Sequence, residues 1–297
     1  MHILVTGGTG FIGKQLCRAL WASGHDTTVF SRRPEQVAHL VGERCRSIGE
    51  LRADLIEAPV DAIINLAGEP VADRHWTQAR KQKLKQSRIA LTHDLIDMCK
   101  QMETPPKAMV SASAVGYYGD QQDLLVTEQT PPHEEFTHEL CSEWEAAALS
   151  AESIGMRVAI ARIGLVVGKE GFLQKMLPVF KLGLGGKFGD GSQWMPWIHI
   201  QDLLRVLLHL LETPTCSGPY NAVSTTPVTN AEFTATLAKL LHRPAFCTAP
   251  AFALKLAMGE LSRMLLTGQK AIPARLLEEN FSFQFDTLEE ALKDVID

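Results

Sequence analysis

The sequence predicts a doubly wound α/β fold, a parallel sheet with helices on both faces that carries a smaller C-terminal substrate region. Three observations predict it. The apolar run Ile3-Leu4-Val5 leads into a glycine-rich turn, Gly7-Gly8-Thr9-Gly10-Phe11-Ile12-Gly13, and then into a helical segment from Lys14 to Ala22. A short second strand, Thr27 to Phe30, follows at a spacing that demands a crossover, so the two strands are expected to be parallel and the crossover right-handed. Further buried strands are expected from Ala62, ending in the small residues Leu66-Ala67-Gly68, at Ala108–Ser113, and at Val158–Arg162 continuing through Gly164–Gly168.

The first turn carries the strongest functional signal. A glycine-rich turn between a strand and a helix cradles a phosphate: Gly7 permits the tight turn, Gly10 lets a pyrophosphate approach the backbone, and Gly13 lets the helix pack on the sheet. The helix aims free N–H groups and its positive dipole end at the anion. The residue ending the second strand then selects the dinucleotide. An acidic residue there binds a ribose 2′-hydroxyl, whereas this chain has Ser31-Arg32-Arg33, whose hydroxyl and guanidinium suit a 2′-phosphate. NADP(H) is the expected cofactor, and Arg33, just before Pro34, is equally well read as a solvated side chain.

The next strand ends in Leu66-Ala67-Gly68, small residues that leave room for a ligand at a strand's C-terminal edge. A basic run follows, including Arg80, Lys83, Lys85 and Arg88. Such a run is commonly a solvated helix face; here Lys83 and Arg88 are also candidates for phosphate or ribose contacts. Ser111-Ala112-Ser113 ends a further strand and opens into Gly116-Tyr117-Tyr118-Gly119, which makes Ser113, Tyr117 and Tyr118 the catalytic candidates. Asp123 to Glu135 reads as a polar loop, and Glu139 to Ala151 as a helix with Trp144 in the core. Residues 182–192 form a glycine-rich stretch, equally well read as a loop that closes over a substrate or as a plain long connection; Gly218-Pro219-Tyr220-Asn221 reads as a returning strand, and a helix is capped at Thr229 or Asn230. The tail holds amphipathic pieces at Ala253–Leu266 and Leu288–Ile296. The chain thus divides into residues 1–168, with a returning segment near 195–224, and residues 169–297.

Composition narrows the class. The 297 residues are 45% hydrophobic with a net charge of −5, which gives no reason to expect nucleic-acid or membrane binding. The six cysteines form no CxxC pair, so no zinc module is expected and reduced thiols in the cytoplasm are. The first strand begins beside Met1, leaving no signal peptide ahead of it, and no apolar run reaches membrane-spanning length. His133 and His138 match no standard metal spacing. The expected partner is a small molecule.

Several motifs together resemble a known family. Thr6-Gly7-Gly8-Thr9-Gly10-Phe11-Ile12-Gly13, Leu66-Ala67-Gly68, Ser111-Ala112-Ser113 with Tyr118-Gly119, Arg162 to Gly168, and Trp197-Ile198-His199-Ile200-Gln201-Asp202-Leu203 are similar to the successive motifs of extended short-chain dehydrogenases/reductases, the nucleotide-sugar epimerase/dehydratase group. Ser31-Arg32, Glu69 after the Leu66-Ala67-Gly68 motif, and Pro196-Trp197-Ile198-His199 look most like its atypical "epimerase family" branch. The resemblance implies a Rossmann-type domain, NADP as cofactor, and contacts at Gly7, Thr9, Gly10, Phe11, Ile12, Gly13, Ser31, Arg32, Leu66, Ala67, Gly68 and Val166. It also suggests an oxidoreductase or epimerase acting on a small molecule such as a nucleotide sugar. One departure is decisive for mechanism. Working members use Tyr-x-x-x-Lys on the helix after the serine motif, and none of the three tyrosines here is followed by such a lysine. Aligning Glu145 with the family's glutamate puts Thr137 and Cys141 in those places, and Arg88 stands where the family has asparagine. A non-catalytic NADPH-binding sensor is therefore the competing expectation.

Overall fold

The computed structural model describes residues 1–296. Its centre is a sheet built from β1 (His2–Thr6), β2 (Asp26–Phe30), β3 (Arg46–Ile48), β4 (Ala62–Asn65), β5 (Ala108–Ala114) and the later strands Arg157–Ile163 and Gly218–Ala222. In space the order is Gly218–Ala222, Arg157–Ile163, β5, β4, β1, β2, β3, and every neighbouring pair is parallel. The winding reverses between β1 and β4. The turns that leave these two strands therefore diverge and open a crevice, the place where such sheets bind ligands.

Strand side chains alternate between the two faces. Ile3 and Val5 meet Leu16 and Leu20 of helix α1 (Phe11–Ala22) together with Leu203, Leu207 and Leu210 of helix Ile200–Glu212. Leu4 points the other way, into a layer with Ile63, Met109 and Val158 that is covered by Leu95, Ile96 and Cys99 of helix Leu91–Lys100. Each such fully buried aliphatic side chain contributes about 1.5–3 kcal/mol. A third cluster packs helices Phe172–Lys181, Asn230–Leu240 and Leu288–Ile296 around Trp197 and Phe233.

The strand Gly218–Ala222 pairs with Arg157–Ile163, so late chain completes the edge of the early sheet. Thr229 caps the following helix in a reciprocal box with Glu232. Some boundaries differ from the sequence expectation for local reasons. Helix α1 begins at Phe11, three residues early, because the glycine turn itself supplies its first residues. The expected helix Glu139–Ala151 runs Phe136–Leu149 before tightening into a 3₁₀ turn. The polar loop contains a short strand, Leu125–Val126, paired with Lys270–Ala271. The glycine-rich stretch likewise holds Gly186–Phe188, paired with Cys247–Ala249; a Cβ on Gly186 would collide with the Cys247 carbonyl. The piece Ala253–Leu266 breaks at Gly259, which has φ +57°. Among the described residues, no helix is long and apolar enough to cross a membrane.

Helix α1 can seat on the sheet only because Gly13 has no side chain: a Cβ there would stand 2.2 Å from the Gly7 carbonyl oxygen. Gly13→Ala is expected to cost about 1–3 kcal/mol as an overpacked contact, read as a lower urea midpoint with an unchanged m-value.

Candidate functional site

The floor of the crevice is the turn after β1. Gly7 has φ +70°, and a Cβ there would lie 2.8 Å from the backbone of Leu66. The turns after β1 and β4 thus touch backbone to backbone. Gly10 is exposed, with Thr9, Phe11 and Ile12 half-buried beside it; a Cβ on Gly10 would meet only the Gly7 oxygen, at 3.2 Å. No side chain caps α1 and no acidic residue stands in its first turn. Its leading N–H groups are left for an anion, and the donor set fits a dinucleotide pyrophosphate. The Phe11 ring lies against Gly168, where a Cβ would come within 2.4 Å of it; Val166, half-buried, packs on the core beneath.

A buried polar chain fixes the strand ends around this floor. Thr6 Oγ1 donates to Asn65 Oδ1 at 2.6 Å. Asn65 Nδ2 donates to Thr92 Oγ1 at 2.9 Å and to Ser111 Oγ at 3.2 Å. The Ala67 N–H donates back to Thr6 Oγ1 at 3.2 Å.

At the outer edge, the Ser31 hydroxyl accepts from the Arg33 N–H at 3.1 Å, and the Arg32 guanidinium is largely exposed, 3.4 Å from Glu69. Glu69 also faces Arg80 at 3.2 Å and Lys83 at 3.8 Å. Burial pushes its carboxyl up, but the Arg80 hydrogen bond and the Lys83 and Arg32 charges outweigh that and hold it below the usual range. The basic run is therefore two-sided. Lys83 projects into solvent beside Glu69, while Arg80 and Arg88 turn inward and are buried.

Arg88 occupies a single π-helical turn, Gln86–Ala90, set between helices Gln78–Lys85 and Leu91–Lys100. Such turns re-aim side chains. Thr92 Oγ1 ties the turn down by donating to the Arg88 carbonyl at 2.7 Å. The guanidinium packs over Gly68, where a Cβ would lie 2.7 Å from Cζ. It donates to the Glu69 carbonyl at 2.9 Å and sits 5.2 Å over the Trp144 ring. Among the described residues it has no ion-pair partner. Burial lowers its pKa to about 10, so it remains a buried cation at neutral pH.

The catalytic candidates are placed differently from one another. Ser113 Oγ donates to Glu145 Oε1 at 2.6 Å. Glu145 holds Arg162 through both oxygens, at 2.9 and 2.8 Å. Arg162 in turn donates to the Tyr118 phenol at 3.0 Å, and that phenol donates to Asn221 at 2.7 Å. The Arg162 guanidinium stacks 3.5 Å from the Tyr117 ring centroid. Tyr118 is wholly buried, and burial, only partly offset by Arg162, raises its pKa to about 12. Its phenol serves the core, wedged between Arg162 and Asn221.

Beyond the strand ends lies a cavity of about 350 Å³. Trp144, Trp194, Phe172, Phe188, Met195 and Met264 make it mostly apolar; its polar side chains are Arg88, Glu135, Thr137, Cys141, Gln193, Arg263, Thr267 and Gln269, with Glu135 paired to Arg263 at 2.7 Å. Neither Ser113 nor the two tyrosines line it; Thr137 and Cys141 do. Burial, reinforced by the Glu145 charge, pushes the Cys141 thiol up to about 11, so it is protonated at neutral pH. Trp144 Nε1 is buried and, among the described residues, has no hydrogen-bond partner. The C-terminal residues 258–269 cover one wall, a role their weak amphipathic pattern does not reveal in sequence; their methionines and leucines are the only advance sign of it.

A glycine cradle at the switch point of a parallel sheet, with a partly open cavity beyond the strand ends walled by later chain, defines a dinucleotide-binding protein. Comparison with known proteins is specific about which. The chain belongs to the NAD dependent epimerase/dehydratase family, whose model matches residues 3–223; residues 249–295 match a domain of unknown function, DUF1731, which contributes the covering wall. The epimerase family protein ML0860 of Mycobacterium leprae is 39% identical over 292 residues, covering 98% of this chain and 94% of its own. An Arabidopsis thaliana chloroplastic homolog of the epimerase family protein SDR39U1 is 36% identical over 304 residues, covering 100% and 87%. The crystal structure of human SDR39U1 with NADPH superposes with a TM-score of 0.88 at 36% identity, covering 99% of both chains.

Removing the charge of Glu145 leaves Arg162 buried and uncompensated. Glu145→Gln is expected to destabilise the fold by about 3–5 kcal/mol, measured by chemical denaturation.

Proposed function

We propose that this protein binds NADPH and reduces the carbonyl group of a small, largely apolar molecule. The observation that carries the reading is Arg88, a buried guanidinium that lines a mostly apolar cavity beyond the strand ends and, among the described residues, has no carboxylate ion-pair partner. The Ser31-Arg32 pair and the NADPH in the human relative's structure support the cofactor. NADPH, when bound, supplies a hydride. As the carbonyl carbon gains it, the C=O π pair moves onto oxygen. Arg88 stabilises that developing negative charge, which a fixed cation in a water-poor site does far more strongly than solvent. The Cys141 thiol gives the oxygen a proton and recovers one from water. Ser113, hydrogen-bonded to Glu145, is a positioning residue behind it. The nucleotide sugar suggested by family resemblance suits the lining less well, since its phosphates and hydroxyls call for more polar contacts than these walls provide.

A second reading, a sensor of NADPH without turnover, is favoured by Thr137 and Cys141 standing where an acid–base dyad is expected. Stereospecifically deuterated NADPH, incubated with a panel of aromatic and aliphatic aldehydes and ketones alongside nucleotide sugars, separates the two. Label should appear in an apolar carbonyl compound, and Arg88→Met should lower the transfer rate by about 10²–10³-fold. Tight NADPH binding without label transfer to any panel member supports the sensor instead.

A further inference from the structure

A cluster with different chemistry lies at the edge of the sheet, away from the crevice. Three segments meet there. Helix Ile200–Glu212 supplies His209 from its last turn, the bend before strand Gly218–Ala222 supplies Cys216, and the residue after helix Ala274–Glu278 supplies Glu279. His209 Nε2 stands 2.9 Å from Glu279 Oε2. Cys216 Sγ is 3.3 Å from the same oxygen and 3.7 Å from the same nitrogen.

These separations are close to the edges of a metal tetrahedron. Zinc bonds of about 2.0–2.1 Å to nitrogen, 2.0–2.2 Å to oxygen and 2.3 Å to sulfur, at tetrahedral angles, put N and O about 3.4 Å apart and S about 3.6 Å from either. The two sulfur edges are within about 0.3 Å of these values and the N–O edge is about 0.5 Å short, a gap that a small rotation of the exposed Glu279 carboxylate closes. The donor types agree as well, because imidazole and thiolate select zinc and its borderline neighbours over calcium or magnesium.

The outer contacts already hold the donors in place. Thr213 Oγ1 is 3.3 Å from His209 Nδ1, which leaves Nε2 to face the cluster. Tyr220 donates its phenol to the other Glu279 oxygen, Oε1, at 2.7 Å, and Arg275 donates to that phenol at 2.8 Å. Partners of this kind orient metal ligands and sharpen affinity. Cys216 is buried, His209 half-buried and Glu279 exposed, so the sulfur approaches from inside and the fourth position faces solvent. We infer that His209 Nε2, Cys216 Sγ and Glu279 Oε2 form a site for one zinc-like divalent cation, with water as the fourth ligand. Binding forms one bond to each donor and releases the thiol proton. The cation pins the C-terminal segment to the edge strand, and in its absence the three groups hydrogen-bond to one another. The ligands are 7 and 63 residues apart, a spacing no sequence motif records.

The test is titration of the metal-stripped, full-length protein with Co²⁺. One equivalent should bind, with a thiolate-to-cobalt charge-transfer band in the near ultraviolet that one equivalent of Zn²⁺ abolishes. Cys216→Ser keeps a hydroxyl to donate to Glu279. It should keep the native circular dichroism while losing the band and weakening zinc binding by at least about 100-fold. Cys247→Ser, which removes the exposed cysteine, should change neither. If Cys216→Ser does not fold, His209→Gln provides the same readout. No saturable band in the wild type, a band that survives Cys216→Ser, or one lost in Cys247→Ser would overturn the assignment.

Discussion

The closeness of the turn after β1 to the turn after β4 governs the rest of the site. Gly7 and Leu66 meet backbone to backbone, and Gly13 lies over the Gly7 carbonyl with no room for a Cβ. That contact sets α1 with its N–H groups toward the crevice. The same closeness lets Thr6 reach Asn65, and Asn65 reach Thr92 and Ser111. Thr92 holds the π-helical turn whose Arg88 enters the cavity. A single backbone approach therefore fixes both the anion cradle and the cation beyond it, through hydrogen bonds that are buried and hence costly to leave unmade.

Two buried charged arrangements flank the place where family resemblance puts an acid–base dyad. One is structural. Glu145 and Arg162 form a buried, bidentate pair that takes in Ser113, Tyr118 and Asn221. Such pairs add little net stability over apolar packing but are severe to break; here the pair locks β5, strand Arg157–Ile163 and the edge strand into one register. The other is electrostatic. Arg88 carries its charge into largely apolar surroundings, hydrogen-bonded to backbone carbonyls and a hydroxyl and set over an aromatic face, with the Arg80 and Glu69 charges acting on it in opposite senses. A cation in that state has unspent attraction for an oxygen that becomes negative.

The sheet was legible in the sequence because its signals are local. Ile3-Leu4-Val5 followed by spaced glycines admits few other structures, and the run at Ala62 and the Ser111-Ala112-Ser113 motif sit at strand ends as expected. Trp144 reads as core and is buried, yet its ring forms part of the cavity wall. The serine and tyrosine motif was visible, but its engagement was not. Whether a hydroxyl faces a ligand or a carboxylate depends on Glu145 and Arg162, 32 and 49 residues from Ser113, and no local pattern encodes that meeting. Arg88 was visible as a departure from family pattern, while its burial depends on a π turn that composition does not announce. The covering wall at 258–269 and the His209, Cys216 and Glu279 cluster arise wholly from tertiary packing.

The central claim, that the crevice is built for a 2′-phosphorylated dinucleotide, is tested most directly by calorimetric titration of the wild type and Arg32→Ala with NADPH and NADH. NADPH is expected to bind the wild type more tightly. Arg32→Ala should remove that preference, lowering NADPH affinity by about tenfold to a hundredfold, the loss of one charged hydrogen bond worth about 1.5–3 kcal/mol, while leaving NADH affinity unchanged. Equal affinities in the wild type, or a preference untouched by the substitution, would contradict the account.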